Sequence, residues 1–134
     1  LGSTSRGLIM GIKEQEEGEA IRRKVMGTAH VDRSLGNATD FDMPLQEATM
    51  EHAWGGVWTR DGLDHKTRSI VTLSMLIARQ ALGALKGHVR GALNNGVTPE
   101  EIREIIMHAG PYCGYPAALA AMKVAREVID AHQE

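Results

Sequence analysis

His88-Val89-Arg90-Gly91-Ala92-Leu93-Asn94-Asn95-Gly96-Val97-Thr98-Pro99-Glu100-Glu101-Ile102 is the stretch whose reading decides the fold. It contains the end of one helix, a turn and the start of the next. Leu85, His88, Val89, Ala92 and Leu93 recur at three- and four-residue intervals, which puts them on one helical face. His88 therefore falls in an apolar stripe. Gly87 and Gly91 flank it. Glycine inside a helix costs about 1 kcal/mol relative to alanine, so the pair predicts close approach of another helix or a ligand. Asn94-Asn95-Gly96 predicts the helix end, because Gly and Asn take the left-handed conformation cheaply. Thr98 is the expected N-cap of the next helix, with Pro99 at its first position and Glu101 closing a capping box.

Working outward, Ile102, Ile105, Ile106 and Ala109 continue a clean helical face that is expected to stop before Pro111. Pro111-Tyr112-Cys113-Gly114-Tyr115-Pro116 reads as a rigid connector. Ala117 to His132 forms a last helix, whose alanine-rich side suits tight helix–helix contact. Upstream, Asp64 is expected to cap a helix from His65 to about Arg79. That helix is apolar nearly all round after its first turn, which predicts a central position. Arg68 lies near its start, where the head can leave the core while the stem stays buried. Thr59-Arg60-Asp61-Gly62 is a turn. Asp40 or Asp42 can cap a helix through about Gly55, and Gly55-Gly56 argues against one regular helix carrying both Trp54 and Trp58. Thr28 to Asn37 reads as a polar loop with His30, Asp32 and Arg33, and Glu14 to Gly27 as a charged helix. Residues 1–11 are read as a disordered or non-native tail, with Met10 a candidate start, and residues 12–134 as a single domain. No segment reads as a strand.

The 134 residues suffice for one domain with a real core. A net charge of -2 with no basic block argues against nucleic acid or a membrane surface as partner. No apolar run reaches the roughly 18 residues of a membrane span. The single cysteine, Cys113, excludes an intrachain disulfide and a CxxC pair, and fits a reducing cytoplasm.

The chemistry is narrowed by elimination. There is no GxSxG nucleophile turn and no phosphate-cradling glycine loop. Glu104 and His108 are four apart on a helix, but no second pair has ligand spacing, so no metal is expected. What remains is His30, Arg33, Arg68 and His88, with Tyr112, Cys113 and Tyr115. Arginine can hold a carboxylate in two parallel hydrogen bonds, and histidine moves protons near neutral pH. That set suits a small anionic substrate and proton transfer.

Arg23-Lys24-Val25-Met26-Gly27 followed by Ala29-His30-Val31-Asp32-Arg33-Ser34 is similar to the opening of γ-carboxymuconolactone decarboxylases. Thr67-Arg68-Ser69-Ile70-Val71-Thr72-Leu73, the His88–Ile102 stretch and Tyr112-Cys113-Gly114-Tyr115-Pro116-Ala117-Ala118 resemble the same family in the same order. The likeness covers about residues 20 to 130. One departure is Gly83-Ala84, where the family usually has an acidic pair. The resemblance implies an all-α, alkylhydroperoxidase D-like bundle of about six helices. It also implies a cofactor-free homo-oligomer, most simply a hexamer, that converts 4-carboxymuconolactone to β-ketoadipate enol-lactone and CO2 in protocatechuate catabolism. On that reading Arg33 and Arg68 anchor the substrate's carboxylate, and His88 is the oxyanion donor or general acid, with His30 as the alternative acid. Trp58, Tyr112, Cys113 and Tyr115 would complete the pocket wall. A thiol peroxidase or reductase, as in the D-type relatives, is the first alternative. It would need CxxC ahead of the histidine, where this chain has Leu82-Gly83-Ala84-Leu85. A non-enzymatic helical oligomerisation module is the second, and it leaves the AHVDRS segment unexplained.

Overall fold

The computed structural model describes residues 2–132, with side chains from residue 11 onward. Among the described residues there are seven α-helices, one π-helical segment and no strand. The helices are α1 (Gly2–Met26), α2 (Thr28–Asn37), α3 (Met43–Ala48), α4 (His65–Ala78), α5 (Leu82–Asn94), α6 (Pro99–Cys113) and α7 (Tyr115–His132), with the π segment Thr49–Trp54 continuing α3. The chain divides into two compact units, Leu1–Gly62 and Leu63–Glu134. Helix α1 begins at Gly2, inside the segment that the sequence sets aside as a tail.

In the first unit α1 lies against the π segment and α2 against α1. The segment Thr28–Asn37, expected as a loop, is a helix. Gly27, at φ 93°, breaks α1 in a conformation that only glycine takes without strain. The chain then restarts at once, with Val31 N–H donating to Gly27 O at 3.1 Å. Burial of Val31, and packing of Leu35 beside it, outweighs the polar character of the rest of α2. Asp42 precedes α3 but makes no side-chain bond to it. Its carboxylate accepts instead from Thr39 N–H at 2.6 Å and from the Thr39 hydroxyl at 3.0 Å. Those bonds hold the Asp42 carboxyl below its ordinary range.

The π register is visible in Gly55 N–H donating to Met50 O, five residues back, at 2.8 Å. Here α1 and the π segment meet backbone to backbone. A methyl group on Gly18 would strike the Met50 carbonyl, and one on Gly55 the Glu14 carbonyl. Trp54 ends the segment and Trp58 follows in a turn, so the two are not on one regular helix, as the glycines between them implied. Their ring centroids are 4.9 Å apart and the planes tilted by 34°. With Val25, Met26, Val31 and Met50 they form this unit's core.

In the second unit α5 packs on α4 and α7, and α6 on α4 and α7. Leu73, Ile77, Leu85, Val89, Ile102 and Ile106 are among its buried side chains, joined by Ala118, Ala121 and Ala125 from α7. Asp64 caps α4 by accepting from Thr67 N–H at 2.7 Å. Thr98 and Glu101 form the expected capping box, with both reciprocal bonds at 3.0 Å. Two expectations are corrected. Helix α6 does not stop before Pro111 but runs to Cys113, so the segment 111–116 is not a connector. Proline costs α6 one bond in its final turns, and the break falls at Gly114, at φ 95°. Helix α4 is not covered all round: Met75 is 62% exposed and Val71 38%.

The caps set a pH limit. Backbone N–H donors hold the Asp64 and Glu101 carboxyls below their ordinary values, Glu101 with help from Lys66. Folded-state values below the unfolded ones mean the stabilisation is complete above pH of about 4 to 4.5 and fades as pH falls through the depressed values. Urea unfolding at neutral pH should show Thr98→Ala less stable by about 1 kcal/mol. Thermal melts between pH 5 and 3 should fall less steeply in Asp64→Asn and Glu101→Gln than in the native protein.

Candidate active site

Helix α5 presents Leu85, Val89 and Ala92 inward, with His88 half-buried at the edge of the same stripe. Helix α4, packed beside it, carries the half-buried Arg68 in its first turn. Three contacts fix that turn. Asp64 caps it, and Arg68 N–H donates to Asp64 O at 3.0 Å. Lys66 pairs with Glu101 at 3.2 Å, tying the starts of α4 and α6 together. Asn95, just past the end of α5, donates from its side-chain amide to the Ser69 hydroxyl at 2.9 Å and to His65 O at 3.4 Å. Ser69 is only 2% exposed, so its oxygen has little water to replace the Asn95 donor. The site reading of the sequence missed the Ser69–Asn95 link. A helix-ending Asn looks like ordinary C-cap chemistry, and nothing in the chain order joins it to a residue 26 positions earlier.

In the first unit α2 carries His30, half-buried, and Arg33, exposed, three residues apart and so on neighbouring positions of one side. Val31 faces inward, and Asp32 accepts from Arg23 Nη1 at 2.7 Å, clamping α2 to α1. The hydrogen bond to Asp32 raises the Arg23 pKa above its ordinary value. Arg22 is 9% exposed and donates from Nη1 to Gln46 Oε1 at 2.8 Å. Burial lowers its pKa, with Glu19 opposing the shift. Trp58, read as pocket wall, is 8% exposed in the core against Trp54, which gives it a packing role.

Tyr112 and Cys113 line a cavity of about 470 Å³ between α4 and α6. Ile70, Ser74, Glu104 and His108 share it, and neither His88 nor Arg68 does. The His108 ring stacks on Tyr112 with centroids 5.1 Å apart. Tyr115 is exposed at the start of α7, one edge of its ring lying over Gly110. Glu104 and His108 share the cavity wall, yet no group of three or more His, Cys, Asp or Glu among the described residues could hold a metal ion. No helix among them is long and apolar enough to cross a membrane.

The described residues define an all-α protein of two helical units. Residues 44–127 match the model of the carboxymuconolactone decarboxylase family, and the chain belongs to that family. It is similar to the nitrosuccinic acid decarboxylase of Metarhizium robertsii, 48% identical over 86% of this chain and 80% of that one. It is also similar to the 4-carboxymuconolactone decarboxylase of Acinetobacter baylyi, 44% identical over 84% of each chain.

The Ser69–Asn95 bond yields a clean test. Asn95→Ala takes the donor from a buried hydroxyl oxygen and should cost about 1–3 kcal/mol in urea unfolding. Adding Ser69→Ala should recover much of that loss, because removing both partners leaves nothing unsatisfied.

Proposed function

We propose that the protein is a cofactor-free carboxy-lyase that converts 4-carboxymuconolactone to β-ketoadipate enol-lactone and CO2. The reading is carried by the 44% identity, over 84% of each chain, to a protein named for that reaction. In this substrate the leaving carboxylate sits on the ring carbon γ to the lactone carbonyl, across a double bond. When that C–C bond breaks, its electron pair becomes the new ring double bond, the old π pair shifts to between the α-carbon and the carbonyl carbon, and the carbonyl π pair moves onto oxygen. A proton delivered to the α-carbon then gives the enol-lactone. The substrate supplies its own electron sink, so the protein needs only to bind, stabilise developing charge and place a proton. We assign carboxylate anchoring to Arg33 and Arg68, and oxyanion donation or general acid catalysis to His88, with His30 as the alternative acid. The likeness to the Acinetobacter baylyi protein over 84% of each chain supports treating residues 12–134 as one functional domain.

The relative named for nitrosuccinic acid favours a second substrate. Nitrosuccinate and carboxymuconolactone share a succinate skeleton: one carbon bears the leaving carboxylate and a carboxymethyl arm, and is joined to an electron-withdrawing group. In nitrosuccinate the released pair would rest on the nitro oxygens. Ultraviolet absorbance and CO2 release, followed in parallel with each substrate, separate the two. Turnover of the lactone supports the main reading, turnover of nitrosuccinate alone the second, and turnover of neither overturns both.

Kinetics separate the roles. Arg33→Ala and Arg68→Ala should raise KM with little change in kcat, since an anchor grips substrate and transition state alike. His88→Gln should lower kcat by roughly 10²–10⁴ if the imidazole delivers the proton. A small loss in His88→Gln beside a large one in His88→Ala would assign it to oxyanion binding. Near-normal kcat in both would move the acid to His30.

We further propose a homo-oligomer, a hexamer most simply, located in the cytoplasm, where a lone exposed Cys113 would stay reduced. The alanine face of α7 does not support the assembly, because Ala117, Ala118, Ala121 and Ala125 are consumed inside the unit. Support comes instead from apolar side chains the chain leaves uncovered, such as Phe41 at 95%, Leu45 at 72% and Leu119 at 70% exposure. Light scattering at micromolar concentration should give a multiple of the 14.6 kDa chain mass, and a monomer would overturn this.

A further inference from the structure

Helices α5 and α7 flank a half-open cavity of about 260 Å³ lined by Lys86, Arg90, Glu127, Val128, Ala131 and His132. Arg90 follows His88 by two residues, about 200° around the helix, so it serves a different side of α5 from the proposed acid. Two positive groups, Lys86 and Arg90, face one negative group, Glu127, and His132 adds a third positive charge when protonated. None of Lys86, Arg90 and Glu127 forms an ion pair among the described residues. His132 is held in place by its Nε2 contact with Asn94 Oδ1 at 3.3 Å.

The guanidinium of Arg90 is the telling group. Its Nε and Nη2 are shielded from water and have no acceptor among the described residues. Those two nitrogens form one edge of the guanidinium, with N–H bonds running side by side, and that edge takes an oxyanion in two parallel hydrogen bonds. Buried charged donors without an acceptor are costly. Having no water-accessible surface, this edge lies beside the cavity and not in its open wall, and a turn of the terminal torsions would bring it to an anion there. The volume exceeds what a few waters need, which leaves room for a small organic acid. We propose that this cavity is a binding site for a small oxyanion, with Arg90 as its fork and Lys86 and His132 as flanking cations.

The test is a titration of ¹⁵N-labelled native protein with succinate in one arm and inorganic phosphate in the other, followed at the arginine Nε–H signals. The Arg90 signal, identified by its loss in Arg90→Gln, should shift saturably at millimolar concentration or below, and the arm that binds tighter names the ligand as carboxylate or phosphate. Backbone signals of α5 and α7 around residues 86–90 and 127–132 should shift with it in the native protein and stay still in Arg90→Gln. Lys86→Gln, an exposed change that leaves the fold intact, should weaken binding about five- to tenfold. No saturable shift at Arg90 in either arm overturns the proposal. So does a response of the α5 and α7 signals that is unchanged in both Arg90→Gln and Lys86→Gln.

Discussion

One amide group, on Asn95, sits where three helices of the second unit meet. It follows the last residue of α5, reaches the first turn of α4 through Ser69 and His65, and precedes by three residues the Thr98 cap of α6. Because Ser69 is buried, the register of α4 against the end of α5 is fixed by a hydrogen bond whose loss would strand a polar group. Lys66 and Glu101 repeat the connection from the other side. The position of Arg68, one residue before Ser69, is a consequence of this junction. His88, on α5, is set by a different term, the insertion of Leu85, Val89 and Ala92 into the core.

The first unit is built on a different constraint, the close approach of backbones. Gly18 and Gly55 let α1 and the π segment touch where any side chain would collide. The wider π register brings Gly55 N–H onto Met50 O instead of the usual fourth-residue acceptor. Arg22 and Gln46 then lock α1 to α3, and Arg23 and Asp32 lock it to α2. Among the described contacts, the helix bearing His30 and Arg33 is held by the apolar packing of Val31 and Leu35 and by the exposed Arg23–Asp32 pair. Such pairs are individually weak, so the apolar contact of Val31 carries most of the placement.

Decarboxylation without a cofactor places modest demands on a protein and strict ones on its substrate. The electron sink must already be conjugated to the breaking bond. What remains for the protein is to grip carboxylates and to hold a proton donor in a partly dry setting. A lone, exposed cysteine in an apolar cavity does not by itself suggest thiol chemistry.

The sequence by itself determined what local chemistry controls. The Thr98 capping box, the Asp64 cap, the end of α5 and the inward faces of α5 and α6 all follow from side chains within four residues of one another. The motifs that identify the family were likewise legible in the chain. Tertiary structure decided what depends on partners distant in sequence. It made α2 a helix, because a buried Val31 and a pair with Arg23 outweigh a polar composition. It carried α6 through Pro111, because the following break belongs to Gly114. It also used up the alanine face of α7 internally and left Met75 and Val71 of α4 uncovered, since periodicity shows that a face is apolar but not what covers it. The Ser69–Asn95 bond and the unmet fork of Arg90 belong to the same class: both are hydrogen-bond accounts, and those close only in three dimensions.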